Sequence, residues 1–220
     1  MVNNSKILIS ILAISNLFIG QSFGESGGAG NGGDAVICPD KVILLDSYEA
    51  SKMRFNIDLN PNKINSPTWR SMVNIAVKRL SRVDKYTADK LYDYAMEMVN
   101  DFEKFEMYPD SRGKHVYIGY DIIGEINDSD HVSMPEGCEE HPRQLVSQRK
   151  PKFKYEFRYE FSKSLWEKMS LQEQSMTILH EAWYRIMLEN GATTSRAARY
   201  INGFVASVEF ESIEFFEYLE

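Results

Sequence analysis

The stretch Lys152-Phe153-Lys154-Tyr155-Glu156-Phe157-Arg158-Tyr159-Glu160-Phe161 has a strict period of two. Five aromatic rings alternate with five charged side chains. Successive strand side chains point to opposite faces, so this pattern predicts a strand with its rings on one side and its charges on the other. One wet face suits an antiparallel sheet. The ringed face reads as core packed on helices, because five exposed rings would be an aggregation hazard; an exposed aromatic face for carbohydrate is the alternative. Residues 115–126 (HVYIGYDIIGEI) and 143–148 read as companion strands, and Ala35 to Cys38 as a short N-terminal one. Val42 to Ala50 fits either a strand or a short helix.

Elsewhere the period lengthens to 3.6. Ser66-Pro67 reads as the start of a helix carrying Trp69, Met72, Val73, Ala76, Val77, Leu80 and Val83 on one stripe. A second helix over 88–105 is expected to bury Leu91, Tyr94, Ala95, Met98, Phe102 and Phe105, and the short link between the two implies a hairpin. Ser170-Leu171-Gln172-Glu173 is a capping box that opens a helix running to Glu189, with a stop at Asn190-Gly191. Another helix begins near Ser195. The acidic tail, 209–220, reads as a solvated amphipathic last helix, or else as a partner-binding peptide. The fold class is therefore α+β: a small antiparallel sheet against several helices.

The N-terminus predicts export. Lys6 precedes an apolar run from Ile7 to Gly20, and Gln21-Ser22-Phe23-Gly24 offers a cleavage site, so 1–24 reads as a signal peptide. The run falls short of the ~20 residues of a membrane span, with an uncleaved anchor as the alternative. Residues 25–34 (ESGGAGNGGD) hold five glycines and read as a flexible leader, with one globular domain over 35–220. Losing Lys6 leaves 24 basic and 32 acidic residues, a net charge of −8. No basic patch invites nucleic acid, and the acidic balance argues for solubility. Cys38 and Cys138 in an oxidising compartment predict a disulfide worth roughly 4 kcal/mol in the chain-entropy description; two buried free thiols are the alternative. Localisation is expected to be periplasmic or secreted, with no stable membrane span after signal cleavage.

One segment has the residues for chemistry. In Leu179-His180-Glu181-Ala182-Trp183-Tyr184-Arg185, His180 and Tyr184 share a helix face and Glu181 lies about 100° away. A zinc peptidase places H-E-x-x-H on a helix, with two imidazoles on the metal and a Glu that activates water. Here Tyr184 stands where the second His would be, and a phenol is a poor zinc ligand. Zinc is the cofactor to consider. His180 would then need further ligands, from His115, His131, His141, Glu209 or Glu211. The structural alternative is a polar lock, with His180 bonded in the core and Glu181 paired to Arg185, Arg196 or Arg199. A third option is acid–base work by His180 and Glu181 without metal.

Three stretches carry a resemblance: GGAGNGGDAVIC with VILLDSYEA, then PEGCEEHPRQLVSQ, then residues 165–207 around ILHEAWYRIMLENGATTSRAARYINGFVAS. Together they resemble a group of uncharacterised secreted proteins common in predatory deltaproteobacteria. The resemblance implies an exported protein in which a Gly-rich start, two cysteines and an HE-x-x-Y-R helix belong together, and it brings no established activity. The expected function is a non-catalytic envelope or interaction protein, or alternatively a zincin-like hydrolase acting on peptide or envelope polymer.

Overall fold

The computed structural model describes residues 30–107, 113–119, 133–154 and 156–214. The expected signal peptide and His131 lie outside them. The chain is α+β, and its helices are built on the predicted stripes. Helix α2 (Trp69–Ser81) starts two residues after the Pro, capped where the Thr68 hydroxyl accepts the Ser71 amide and the Ser71 hydroxyl accepts the Thr68 amide. Helix α3 (Lys85–Met107) begins where the Asp84 carboxylate accepts the Thr87 amide, and it packs back on α2. Between them and the sheet sits an aromatic nest: Phe102 stacks on Trp166 at 4.5 Å, and Phe161 meets both edge-on.

Strands β1 (Gly30–Asn31) and β2 (Asp34–Ile37) lead into β3 (Val42–Leu44) and then directly into helix α1 (Leu45–Lys52). Val42 to Ala50 is thus both strand and helix. Later come β4 (Val116–Gly119), β5 (Arg143–Gln144), β6 (Val146–Gln148) and β7 (Tyr159–Ser162). One sheet has the order β3-β2-β5 and is antiparallel; the other has the order β1-β6-β7-β4, in which β4 runs parallel to β7. Helices α4 (Lys163–Trp166), α5 (Leu171–Glu189) and α6 (Arg196–Ala206) complete the layer, followed by a 3-10 turn at Glu209–Ser212.

Three expectations change. Among the described residues of the alternating stretch, only Tyr159 to Phe161 are strand, as part of β7. Glu156 draws the earlier part into a local turn, accepting the amides of Lys152 at 2.6 Å and Phe153 at 3.3 Å, and leaves Phe153 exposed. The tail forms a 3-10 turn over 209–212 instead of an α-helix up to that point, because Phe210 is buried against Phe204. The third concerns the glycine-rich leader. Gly32, Gly33 and Asp34 are buried, and β1 and β2 hold this segment in the sheets.

That segment crosses from one sheet to the other without losing register. Gly30 and Asn31 pair with Gln148 and Ser147, and Asp34 and Ala35 pair with Gln144 and Arg143. Between those pairs the ladder breaks. Leu145 donates its N–H to Gly33 O at 2.9 Å, but its own carbonyl accepts from Ser162 on the opposite side. A regular antiparallel pair exchanges both bonds with one partner, so the Gly33 N–H loses its ladder acceptor here.

Cys38 and Cys138 form the predicted disulfide, 100 residues apart in sequence. They pack with a small satellite cluster, buried Val36, Leu45 and Tyr48, separate from the main core. Among the described residues no helix is long and apolar enough to cross a membrane.

Candidate functional site

Helix α5 places the His–Glu pair. The Ser170 hydroxyl caps it by accepting the Glu173 amide at 3.2 Å, as the sequence predicts. The Glu173 carboxylate does not close the expected box. It reaches the start of α1, accepting the Leu44 amide at 2.8 Å and the Ser47 hydroxyl at 2.9 Å. Leu44 has no side chain able to cap α1, so Glu173 supplies that cap from another helix. Burial pushes the Glu173 pKa up to about 7, and the two donated hydrogen bonds only partly oppose it.

Two turns further on, His180 and Glu181 are both fully buried. The His180 Nδ1 lies 2.8 Å from Asp46 Oδ2, and Asn202 Nδ2 donates to the same oxygen at 2.7 Å and to the Met176 carbonyl at 2.9 Å. One carboxylate from α1 thus ties α5 to α6. Burial alone would lower the His180 pKa, but the charge and hydrogen bond of Asp46 outweigh it and push the imidazole up to about 9. Among the described residues no group pairs with His180 Nε2, Asp46 Oδ1, Asn202 Oδ1 or Gln148 Oε1. The Tyr184 ring, also buried, stands 6.2 Å from the imidazole, centroid to centroid.

Glu181 faces the other way, into the broken ladder. Its Oε1 accepts the Gly33 N–H at 2.6 Å, which gives that stranded amide its acceptor. Its Oε2 accepts Gln148 Nε2 at 2.7 Å, and the same nitrogen donates to the Glu181 carbonyl at 3.0 Å. Burial raises the Glu181 pKa, opposed by the His180 charge and by these donated hydrogen bonds. Gly33 also covers the imidazole: a Cβ there would be 3.6 Å from His180 Cδ2. At Gly32 a Cβ would lie 2.2 Å from the Val146 carbonyl oxygen and 2.9 Å from Glu181 Oε1, so only glycine passes.

No known family, curated protein or solved structure matches this chain.

The arginines expected to clamp Glu181 bind elsewhere. Arg185 pairs with Glu97 at 2.6 Å and lies over the Tyr94 ring, 3.6 Å from its centroid. Arg199 pairs with Glu49 of α1 at 3.0 Å, and Arg196 is exposed. Glu181 is held by an amide and a carboxamide because it points into the sheet, whereas Arg185 and Arg199 point toward α3 and α1.

The candidate metal ligands are dispersed as well. Glu211 binds Arg79 at 2.8 Å, Glu209 accepts the Asn56 amide at 2.9 Å, His115 lies 3.8 Å from Glu97, and His141 is exposed. Among the described residues no group of three or more His, Cys, Asp or Glu side chains could hold a metal ion. The site instead gathers Gly33, Asp46, Gln148 and Asn202, which the reading of the sequence did not single out. Only Asp46 left a trace, as the charge that directly follows the apolar run Val42 to Leu45.

Chemically, a carboxylate on Nδ1 orients an imidazole to act through Nε2. In this arrangement the whole imidazole, Nε2 included, is closed off from solvent.

Proposed function

We propose that this chain is an exported domain of the periplasm or the exterior, allied to the secreted group that it resembles, and that it works through its surface as an envelope or interaction protein. In this reading His180 and Glu181 are an internal polar lock. The supporting observation is the complete burial of both side chains, with Asp46 on one and Gly33 and Gln148 on the other. Buried polar groups that are bonded across many segments specify a single arrangement of those segments. The experiment compares the wild type with His180→Ala. The lock reading expects a lower unfolding temperature, less than about one-tenth of an equivalent of zinc in the wild type, and no hydrolysis of peptide or cell-wall polymer by either protein. A well-folded His180→Ala variant that has lost a wild-type hydrolytic activity overturns it.

A second reading, a degenerate zincin-like hydrolase, is favoured by one observation: Nδ1 is held by Asp46 while Nε2 has no partner among the described residues. In that case His180 would shuttle a proton or ligate metal, and Glu181 would polarise water. Stoichiometric zinc in the purified protein would support it.

A further inference from the structure

The segment between β6 and β7 is a hairpin that neither reading uses. Residues 149–158 carry five of the chain's 25 Lys and Arg and only one of its 32 Asp and Glu. The ladder runs one step past Gln148 and Tyr159, where the Arg149 amide donates to the Arg158 carbonyl at 2.9 Å. The root is fixed on β4: Phe157 stacks on Tyr117 at 5.4 Å, and the Arg158 amide donates to the His115 carbonyl at 3.0 Å. Glu156 closes the tip. Its amide donates to the Phe153 carbonyl at 3.1 Å, and its carboxylate accepts the Lys152 and Phe153 amides. The one acidic group is thus engaged by the backbone of its own turn. Around it Arg149, Lys150, Lys152 and Lys154 are exposed, and Lys114 is exposed just before β4, at the same end of the sheet. Phe153 stands among them, 56% exposed. In a strand, Lys152 and Lys154 would be a wet face opposite a row of buried rings. The turn instead brings a ring and its neighbouring ammonium groups to one tip.

We propose that this hairpin docks the protein on an anionic lipid surface, with Phe153 entering the headgroup layer and Lys150, Lys152 and Lys154 against the lipid phosphates. Ring and cations suit two depths of one bilayer interface. A phenyl ring gains by leaving water, and ammonium groups stay at headgroup level on their apolar stems. The chain as a whole is acidic and is repelled by such a surface, so a basic tip also sets the orientation of approach. Single-stranded nucleic acid fits less well. It needs a charged track with rings set along it, and Phe153 is the one large apolar side chain exposed among the described residues of this hairpin. Docking rests on the surface reading above and names its partner; His180 and Glu181 take no part, so its failure leaves the lock standing.

The protein recovered after export is mixed with vesicles of phosphatidylcholine alone or with about one-third phosphatidylglycerol, and binding is read by cosedimentation. The expectation is binding to the anionic vesicles that falls as salt rises, and little to the neutral ones. Lys150→Gln/Lys152→Gln/Lys154→Gln should weaken it at least about tenfold, and Phe153→Ala about fivefold or more, with unfolding temperatures unchanged. Tyr86→Ala, at another exposed ring, should bind like the wild type. A Phe153→Trp variant reports where the ring goes. Trp69, Trp166 and Trp183 are buried, so the new indole supplies the acrylamide-quenchable emission, which should shift to the blue and be shielded on anionic vesicles only. Three results overturn docking: no preference for anionic vesicles, wild-type binding by either the Lys or the Phe153→Ala variant, or an indole that stays quenchable in the bound protein. Tighter binding to single-stranded DNA than to the vesicles assigns the tip to a polyanion and overturns it as well.

Discussion

Gly33 gives its backbone amide to the carboxylate of Glu181, 148 residues later in the chain, at 2.6 Å. The amide needs that partner because Leu145 turns its carbonyl to Ser162 and leaves the β-ladder one acceptor short. A helix side chain thus completes a sheet.

Glu181→Ala leaves the Gly33 amide buried without an acceptor, while Gln148 Nε2 loses the carboxylate and keeps the backbone carbonyl of residue 181. It should cost about 1–3 kcal/mol, the cost of one stranded group. Glu181→Gln should cost less, because its amide oxygen still accepts from Gly33 and a flipped Gln148 can accept from the new NH2 group. Urea unfolding of the two variants checks this, and equal losses would contradict the assigned bonds.

His180 and Asp46 should be energetically coupled. Removing either partner strands the other in a site without solvent, at about 3–5 kcal/mol for each single change. The double variant His180→Ala/Asp46→Ala should cost well under the sum. A double-mutant cycle gives the coupling directly, and strict additivity would mean that the pair does not form.

Stability should fall with rising pH in two successive windows that overlap around pH 6.5–7. Glu173 has a folded pKa near 7, above its ordinary 4.5, so the folded chain holds the extra proton. Its contribution is full below pH 4.5 and is lost as pH climbs to about 7. His180 is raised from 6.5 to about 9, so its contribution is full below pH 6.5 and is lost by about pH 9. Unfolding free energies across this range should show both slopes. Glu173→Gln should flatten the lower one and leave the upper in place.

Phe102→Ala removes the ring that stacks on Trp166 and meets Phe161. It should cost about 3–5 kcal/mol and shift the tryptophan emission, as expected for a large cavity in an aromatic core. Phe153→Ala, at an exposed ring of the same alternating stretch, should change stability by less than about 0.5 kcal/mol. Similar losses at the two positions would restore the ten-residue strand.

Local signals were legible wherever one element decides its own structure. The stripes of α2 and α3, the Ser170 cap, the stop at Gly191 and the alternation at Tyr159 and Phe161 all report how a segment must bury one face. Alternation misled over 152–158, because a period of two describes a face and not a neighbour, and the chain turns there on Glu156. The glycines at 30–33 read as a flexible leader for the same reason. Without side chains they carry no pattern, although the lack of a Cβ is what lets Gly32 pass the Val146 carbonyl.

From the sequence alone came the α+β class, the disulfide pair, and the one helix bearing a His–Glu pair, each set by composition, count or local period. Only the tertiary structure decided what that pair touches. Asp46, Gln148, Asn202 and Gly33 come from α1, β6, α6 and the N-terminal segment, and no spacing along the chain announces contacts between residues 33 to 156 positions apart. Their meeting depends on how the sheets and helices close over a common interior, where every buried donor and acceptor must find whatever partner the packing brings within reach.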